Sequence, residues 1–154
     1  HRLCTWLKSR PARERAEEHD PIDRAMRLRA RVTDIGLLLG SRVGFVLIVE
    51  TASNVSPRSF LQFTPDHLRL ICPNGRDGIQ IWATLPAVCV TLIQSTLFTE
   101  YRVESNRNNE VTLEVATEAL ARVLRSAAGA LDLVLRLGKR NGEPLLSMAI
   151  AMSS

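Results

Sequence analysis

"EVTLEVATEALARVLRSAAGA", residues Glu110 to Ala130, changes its hydrophobic period in mid-stretch. Val111, Leu113 and Val115 alternate with Thr112, Glu114 and Ala116, the period of two that marks a strand with one buried face. Past Thr117 the apolar residues Leu120, Val123, Leu124, Ala127 and Ala128 fall at i, i+3, i+4, i+7 and i+8, a single stripe of an α-helix. Thr117 is suited to cap that helix at its N-terminus and Gly129 to end it. A strand that runs straight into an amphipathic helix predicts an antiparallel sheet with a helix laid on it.

Downstream, "LDLVLRL", the turn "GKRNGE" and "LLSMAIAM" read as a hairpin. Upstream, "MRLRARVTDI" sets Leu28, Ala30 and Val32 against Arg27, Arg29 and Arg31, a strand with one apolar and one cationic face. "SFLQFTPDHLRLI", the turn "CPNGRDG" and "IQIWATL" form a three-strand meander, and "TEYRVES" reads as a further strand before the polar turn "NRNN". "LPAVCVTLIQS" fits a short helix or a buried strand. Val43 to Val49, rich in β-branched residues, reads on its own composition as a buried strand. Were it helical, the order from Met26 would repeat one unit twice: strand, helix, strand meander.

The 154 residues are 45% hydrophobic, enough for one domain with a real core and too few for two. The net charge of +4 is compatible with an acidic partner and does not require one. Cys4, Cys72 and Cys89 are an odd set without a C-x-x-C pair, which argues against a disulfide framework and for a reducing compartment. The most apolar run, Ile35 to Val49, is shorter than the roughly 20 residues of a membrane span and carries Arg42 at its centre, so it reads as core. Residues 1 to 25 hold six Lys or Arg, five Asp or Glu, Pro11 and Pro21, a composition expected of a solvated, disordered arm.

No constellation for catalysis stands out. His67 is alone after Met26, Glu100, Glu104, Glu110 and Glu114 alternate as the wet sides of strands, and no set of residues has metal-ligand or cofactor spacing. Gly36, Gly40 and Gly44 recur at every fourth position without the Lys-Ser/Thr pair of a phosphate loop. Trp82 reads as a core or half-exposed anchor. The basic residues carry more information: Arg122 and Arg125 lie at i and i+3, opposite the apolar stripe, with small neighbours Ala121 and Ser126. They are either a solvated helix face, with Glu118 and Arg122 paired at i, i+4, or a pair of guanidinium forks for phosphate.

From Met26 onward, the order of elements and the strings "MRLRARVTDI", "SFLQFTPDHLRLI", "GIQIWATL" and "NNEVTLEVATEALARVLRSA" resemble the N-terminal domain of the hydroxyurea-sensitivity subunit of the checkpoint sliding clamp, the nine-one-one heterotrimer related to PCNA. The resemblance implies an α+β, DNA-clamp (PCNA-like) domain, mostly antiparallel sheet with two helices on one face, over residues 26–154. It implies a non-catalytic nuclear protein without cofactor that encircles duplex DNA, is placed there by a clamp loader, and assembles with two other clamp subunits. By that analogy Arg122, Arg125 and Arg42 face the DNA backbone, and a helix is expected near Val43 to Val55. A family member has a second domain, and this chain ends before the strand expected to complete the first domain's sheet, which predicts an open edge. Its first residue is His, which fits a fragment or an upstream-extended gene model. The rival expectations are a replicative processivity clamp and a small enzymatic or ligand-binding domain centred on His67.

Overall fold

The computed structural model describes residues 2–8, 10–11, 26–33, 35, 44–87 and 98–152. Along the chain run β1 (Arg2–Lys8), β2 (Arg10–Pro11), β3 (Arg27–Val32), α1 (Phe45–Val55), β4 (Arg58–Phe63), β5 (His67–Cys72), β6 (Ile81–Pro86), β7 (Glu100–Glu104), β8 (Val111–Ala116), α2 (Thr117–Ser126), β9 (Ala130–Arg140) and β10 (Glu143–Met152). Two antiparallel sheets result among the described residues, ordered β1-β10-β9-β3-β7 and β2-β8-β4-β5-β6. This is the α+β arrangement expected from the sequence, with β4, β5 and β6 as the meander.

Strand register explains the core. Val111, Phe63 and Leu68 lie side by side across β8, β4 and β5, and the next buried row is Leu113, Leu61 and Leu70. Leucine 28, Ala30 and Val32 on β3, Leu133 and Leu135 on β9, and Leu146, Met148 and Ile150 on β10 supply the matching face of the other sheet. On these strands the core-facing residues fall at every second position, as the alternation predicted. The hairpin β9–β10 turns on Asn141 and Gly142, both left-handed (φ 52° and 79°), the two-residue turn whose twist suits an antiparallel pair.

Of the segment read as a buried strand from Val43 to Val49, Phe45 to Val49 are instead the first part of α1, Gly44 is its N-cap, and Val43 lies outside the described residues. Phe45, Val49 and Ala52 recur at i, i+4 and i+7 and are buried together with Val46, so helix formation hides one apolar face against the common core. The β-branched residues cost only tenths of a kcal/mol each in helix propensity, less than the roughly 2 kcal/mol gained by burying one such side chain. Thr51 donates its hydroxyl to the Leu47 carbonyl (2.8 Å) and Ser53 to that of Glu50 (2.7 Å), which keeps both hydroxyls from competing with the helix from outside. α1 packs against α2.

Several finer expectations change. Thr117 is not a cap: α2 starts at Thr117, Ala116 occupies the N-cap, and the Thr117 hydroxyl is fully buried 2.7 Å from that of Ser59. Ser59 also meets the Cys72 thiol at 3.0 Å, so one chain of polar atoms ties β4, β5 and α2 inside an apolar core. Ala128 is exposed, because the helix has already ended at Ser126. Trp82 is 68% exposed: in β6 the partly buried set is Ile81, Ala83 and Leu85, which puts Trp82 on the opposite side. Of "LPAVCVTLIQS", residues 88–95 lie outside the described residues, as do Gly36, Gly40 and Cys89.

Of residues 1 to 25, expected as a disordered arm, Arg2–Lys8 and Arg10–Pro11 are strands, and residues 12–25 lie outside the described residues. Residues 2–8 form β1, antiparallel to β10 from Arg2 opposite Ala151 to Lys8 opposite Leu145, and Arg10–Pro11 pair with β8. The edge of β10 expected to stay open is therefore occupied by β1. The physical reason is the need of a sheet edge for backbone partners, a demand that composition does not display.

Tyr101 on β7 links the two sheets. Its hydroxyl donates to the backbone carbonyls of Thr64 (2.7 Å) and His67 (3.1 Å) at the β4–β5 corner. Burial, with Asp66 nearby, pushes its pKa well above the ordinary tyrosine value. A folded-state pKa that is raised gives stability present below the unfolded tyrosine value and lost as pH climbs from it toward the folded one. Tyr101→Phe should lower stability by about 1 kcal/mol at neutral pH and reduce the alkaline loss of stability, as measured by urea denaturation at several pH values. An unchanged alkaline profile would show that another group sets it.

Candidate nucleic-acid interface

Arg122 and Arg125 stand on the exposed face of α2 because Leu120, Ala121, Val123 and Leu124 occupy its buried face. The side chains of Arg122 and Arg125 are 72% and 57% exposed. Arg122 Nη2 lies 3.4 Å from Glu118 Oε1, one turn earlier on α2. Arg125 Nε lies 3.6 Å from Glu50 Oε1 on the neighbouring helix α1. The structure thus brings the two arginines onto one surface that also includes α1.

That surface is electrically balanced. α1, "FVLIVETASNV", contributes Glu50 as its one ionisable residue, and α2 contributes Glu118, Arg122 and Arg125, so the described helices carry two acids and two bases. Both ion pairs are solvent-exposed, where such contacts are worth roughly 0–1 kcal/mol and weaken with salt. A phosphate could therefore take either guanidinium from its carboxylate at small cost, and the planar fork of arginine suits two phosphate oxygens at once. Arg42 lies outside the described residues.

The pairing of Glu118 with Arg122 was legible in the sequence, since i, i+4 spacing places them on one side of a helix. Glu50 as the partner of Arg125 was not. Their proximity depends on α1 being helical and on its packing beside α2, and nothing in the local pattern of either segment announces it.

Other candidates read from the sequence do not gather into a site. The backbone of His67 is engaged at the β4–β5 corner, where its carbonyl accepts from Thr64 (2.9 Å) and Tyr101. Glu100 and Glu114 bind arginines of neighbouring strands, Arg29 and Arg58 at 3.1 Å each. Cys72 is a buried free thiol. Among the described residues no group of three or more His, Cys, Asp or Glu could hold a metal ion, and no helix is long and apolar enough to cross a membrane.

Comparison with known proteins places this geometry. A family model described as Hus1-like protein matches residues 26–154. The chain is 28% identical over 128 residues to "Checkpoint protein hus1" of Schizosaccharomyces pombe, a match covering 83% of this chain and 40% of that protein. It is 29% identical over 133 residues to "Checkpoint protein HUS1" of Homo sapiens, covering 84% and 43%. PCNA from Thermococcus kodakaraensis is similar in fold, with a TM-score of 0.50 at 17% identity, covering 91% of this chain and 51% of that structure. The chain spans about two fifths of the length of the curated relatives it matches. Strand order, the two adjacent helices and the family match over 26–154 converge: the chain has a PCNA-like fold and belongs to the Hus1-like protein family.

Proposed function

We propose that residues 26–154 are the N-terminal clamp-like part of a non-catalytic subunit of a heterotrimeric DNA-damage checkpoint clamp. In this reading it works in the nucleus with two other clamp subunits, is loaded onto duplex DNA by a clamp loader, and serves signalling and repair enzymes as a platform. The observation that carries the proposal is the Hus1-like match over 26–154 joined to a PCNA-like fold. α1 and α2 then face the DNA, and Arg122 and Arg125 exchange Glu118 and Glu50 for backbone phosphates.

Such contacts are independent of base sequence and sensitive to salt, because each neutralised phosphate releases counterions. The test uses the full-length protein assembled with its partner subunits. Replacing Arg122 and Arg125 together by alanine should leave assembly intact and reduce the slope of log affinity against log salt by about 2. A slope equal to that of the unmodified ring would remove these residues from the interface.

A further inference from the structure

The face of the β1-β10-β9-β3-β7 sheet turned away from the core carries a row of like charges. In register, Arg29 on β3 stands directly opposite Arg102 on β7 and directly opposite Arg136 on β9, and Arg136 in turn faces Ser147 on β10. Residues so opposed have Cβ atoms about 5 Å apart, where like charges destabilise a sheet. The neighbouring row partly offsets this. Glu100 lies 3.1 Å from Arg29 and 3.4 Å from Arg31, while Asp132 lies 3.0 Å from Arg31. Arg102 pairs with Glu104 on its own strand. Arg136 is exposed and has no carboxylate partner among the described residues.

Beside Arg136 the sheet is hollow. A groove of about 500 Å³ is lined by Arg29, Arg31, Arg136 and Asp132 and by the small residues Gly138, Ser147 and Ala149. Small residues let an extended backbone come close, and the Ser147 hydroxyl adds a neutral donor next to the cationic row. Against Arg29, Arg31, Arg102 and Arg136, the three carboxylates Glu100, Glu104 and Asp132 leave one positive charge in excess, and Arg136 is the arginine of this row without a carboxylate partner among the described residues. An incoming single carboxylate would repeat what Glu100 and Asp132 supply, whereas a phosphomonoester brings nearly two negative charges and three acceptor oxygens. Flanking Glu100, Glu104 and Asp132 disfavour a long, uniformly charged nucleic-acid backbone on this face.

We propose that this groove docks an extended segment of a partner protein through one phosphorylated serine or threonine, held by the guanidinium groups of Arg29 and Arg136 with Ser147 beside them. The site lies on the sheet and is separate from the helical face of α1 and α2, so one subunit offers one surface to DNA and another to a phosphorylated partner.

The test uses the full chain and a fluorescent serine-glycine peptide carrying a single phosphoserine, with the unphosphorylated and the glutamate versions alongside. Fluorescence anisotropy should show the phosphopeptide binding about tenfold more tightly than either version, and Arg29→Gln with Arg136→Gln lowering its affinity about tenfold or more. Arg136→Gln alone breaks no ion pair among the described residues, keeps the fold intact by circular dichroism, and should lose a smaller part of the affinity. Arg122→Ala with Arg125→Ala should leave phosphopeptide affinity unchanged. Equal binding by the unmodified chain and the double glutamine variant would overturn the proposal. So would an oligothymidylate that binds more tightly than the phosphopeptide and loses that binding in the same variant, which would make this face a nucleic-acid site.

Discussion

Gly75→Ala is expected to destabilise the chain by about 3 kcal/mol, read as a lowered urea midpoint with an unchanged slope. A Cβ built at Gly75 would stand 2.1 Å from the Ile79 carbonyl oxygen and 2.4 Å from Val55 Cγ1. The first of these is backbone, which cannot rotate out of the way as a side-chain tip can. Val55 ends α1, so the added methyl would also press on the helix from below. Gly78 in the same loop is the control: it is left-handed (φ 73°) with nothing within 4 Å of an added Cβ. Alanine there should cost about 1 kcal/mol, from backbone strain alone. If the two variants were equally stable, the loop would have to relax around Gly75.

Phe63→Ala should remove about 4 kcal/mol, a large fraction of the 5–15 kcal/mol that keeps a domain folded. Phe63 is fully buried, with Val111 on one side and Leu68 on the other in the strand register. Truncation loses the transfer energy of the ring and leaves a cavity that three neighbouring strands, fixed by their hydrogen bonds, cannot close. Phe63→Leu keeps most of the volume and should lose less than half as much, so the pair of variants separates cavity formation from loss of aromatic contact. Calorimetric or urea unfolding would check both. A loss below about 1 kcal/mol for alanine would mean that the β8-β4-β5 layer repacks freely.

The strands from β3 to β10 were legible as alternating residues because each needs only one buried face, and that demand is written in neighbouring positions. α2 was legible for the same reason at its own period. α1 was not, since "VGFVLIV" satisfies both a strand and a helix locally. Its helical state follows from where Phe45, Val49 and Ala52 find burial beside α2. The Thr117 hydroxyl shows a similar limit: a threonine at a helix start suggests a cap, but the buried Ser59 hydroxyl 2.7 Å away claims it. Trp82 misled because the apolar neighbours Ile81 and Trp82 belong to opposite faces of one strand.

Of the candidate interface, the presence of Arg122 and Arg125 on one helix face was readable from spacing, and the family resemblance suggested what such a face is for. Their neutralisation by Glu118 and Glu50 was half readable, the first by i, i+4 spacing and the second only in three dimensions. The arginine row on the opposite sheet went unread, although each of its members was visible as the polar half of an alternating strand. Which strand neighbours which is set by topology: β3 lies between β7 and β9, residues about 70 and 100 positions away in sequence.

The sequence by itself determined the period of most segments, the sites of the turns, the buried face of each strand and the membership of a clamp-like family. Tertiary structure alone decided that the segment from Phe45 is helix, that Arg2–Lys8 covers the edge of β10, and that Glu50 meets Arg125 while Arg29 stands between Arg102 and Arg136. The physical reason is range. Alternation and capping are settled by residues a few positions apart, where propensities differ by tenths of a kcal/mol, whereas burial and edge pairing involve several kcal/mol and partners that only folding brings together.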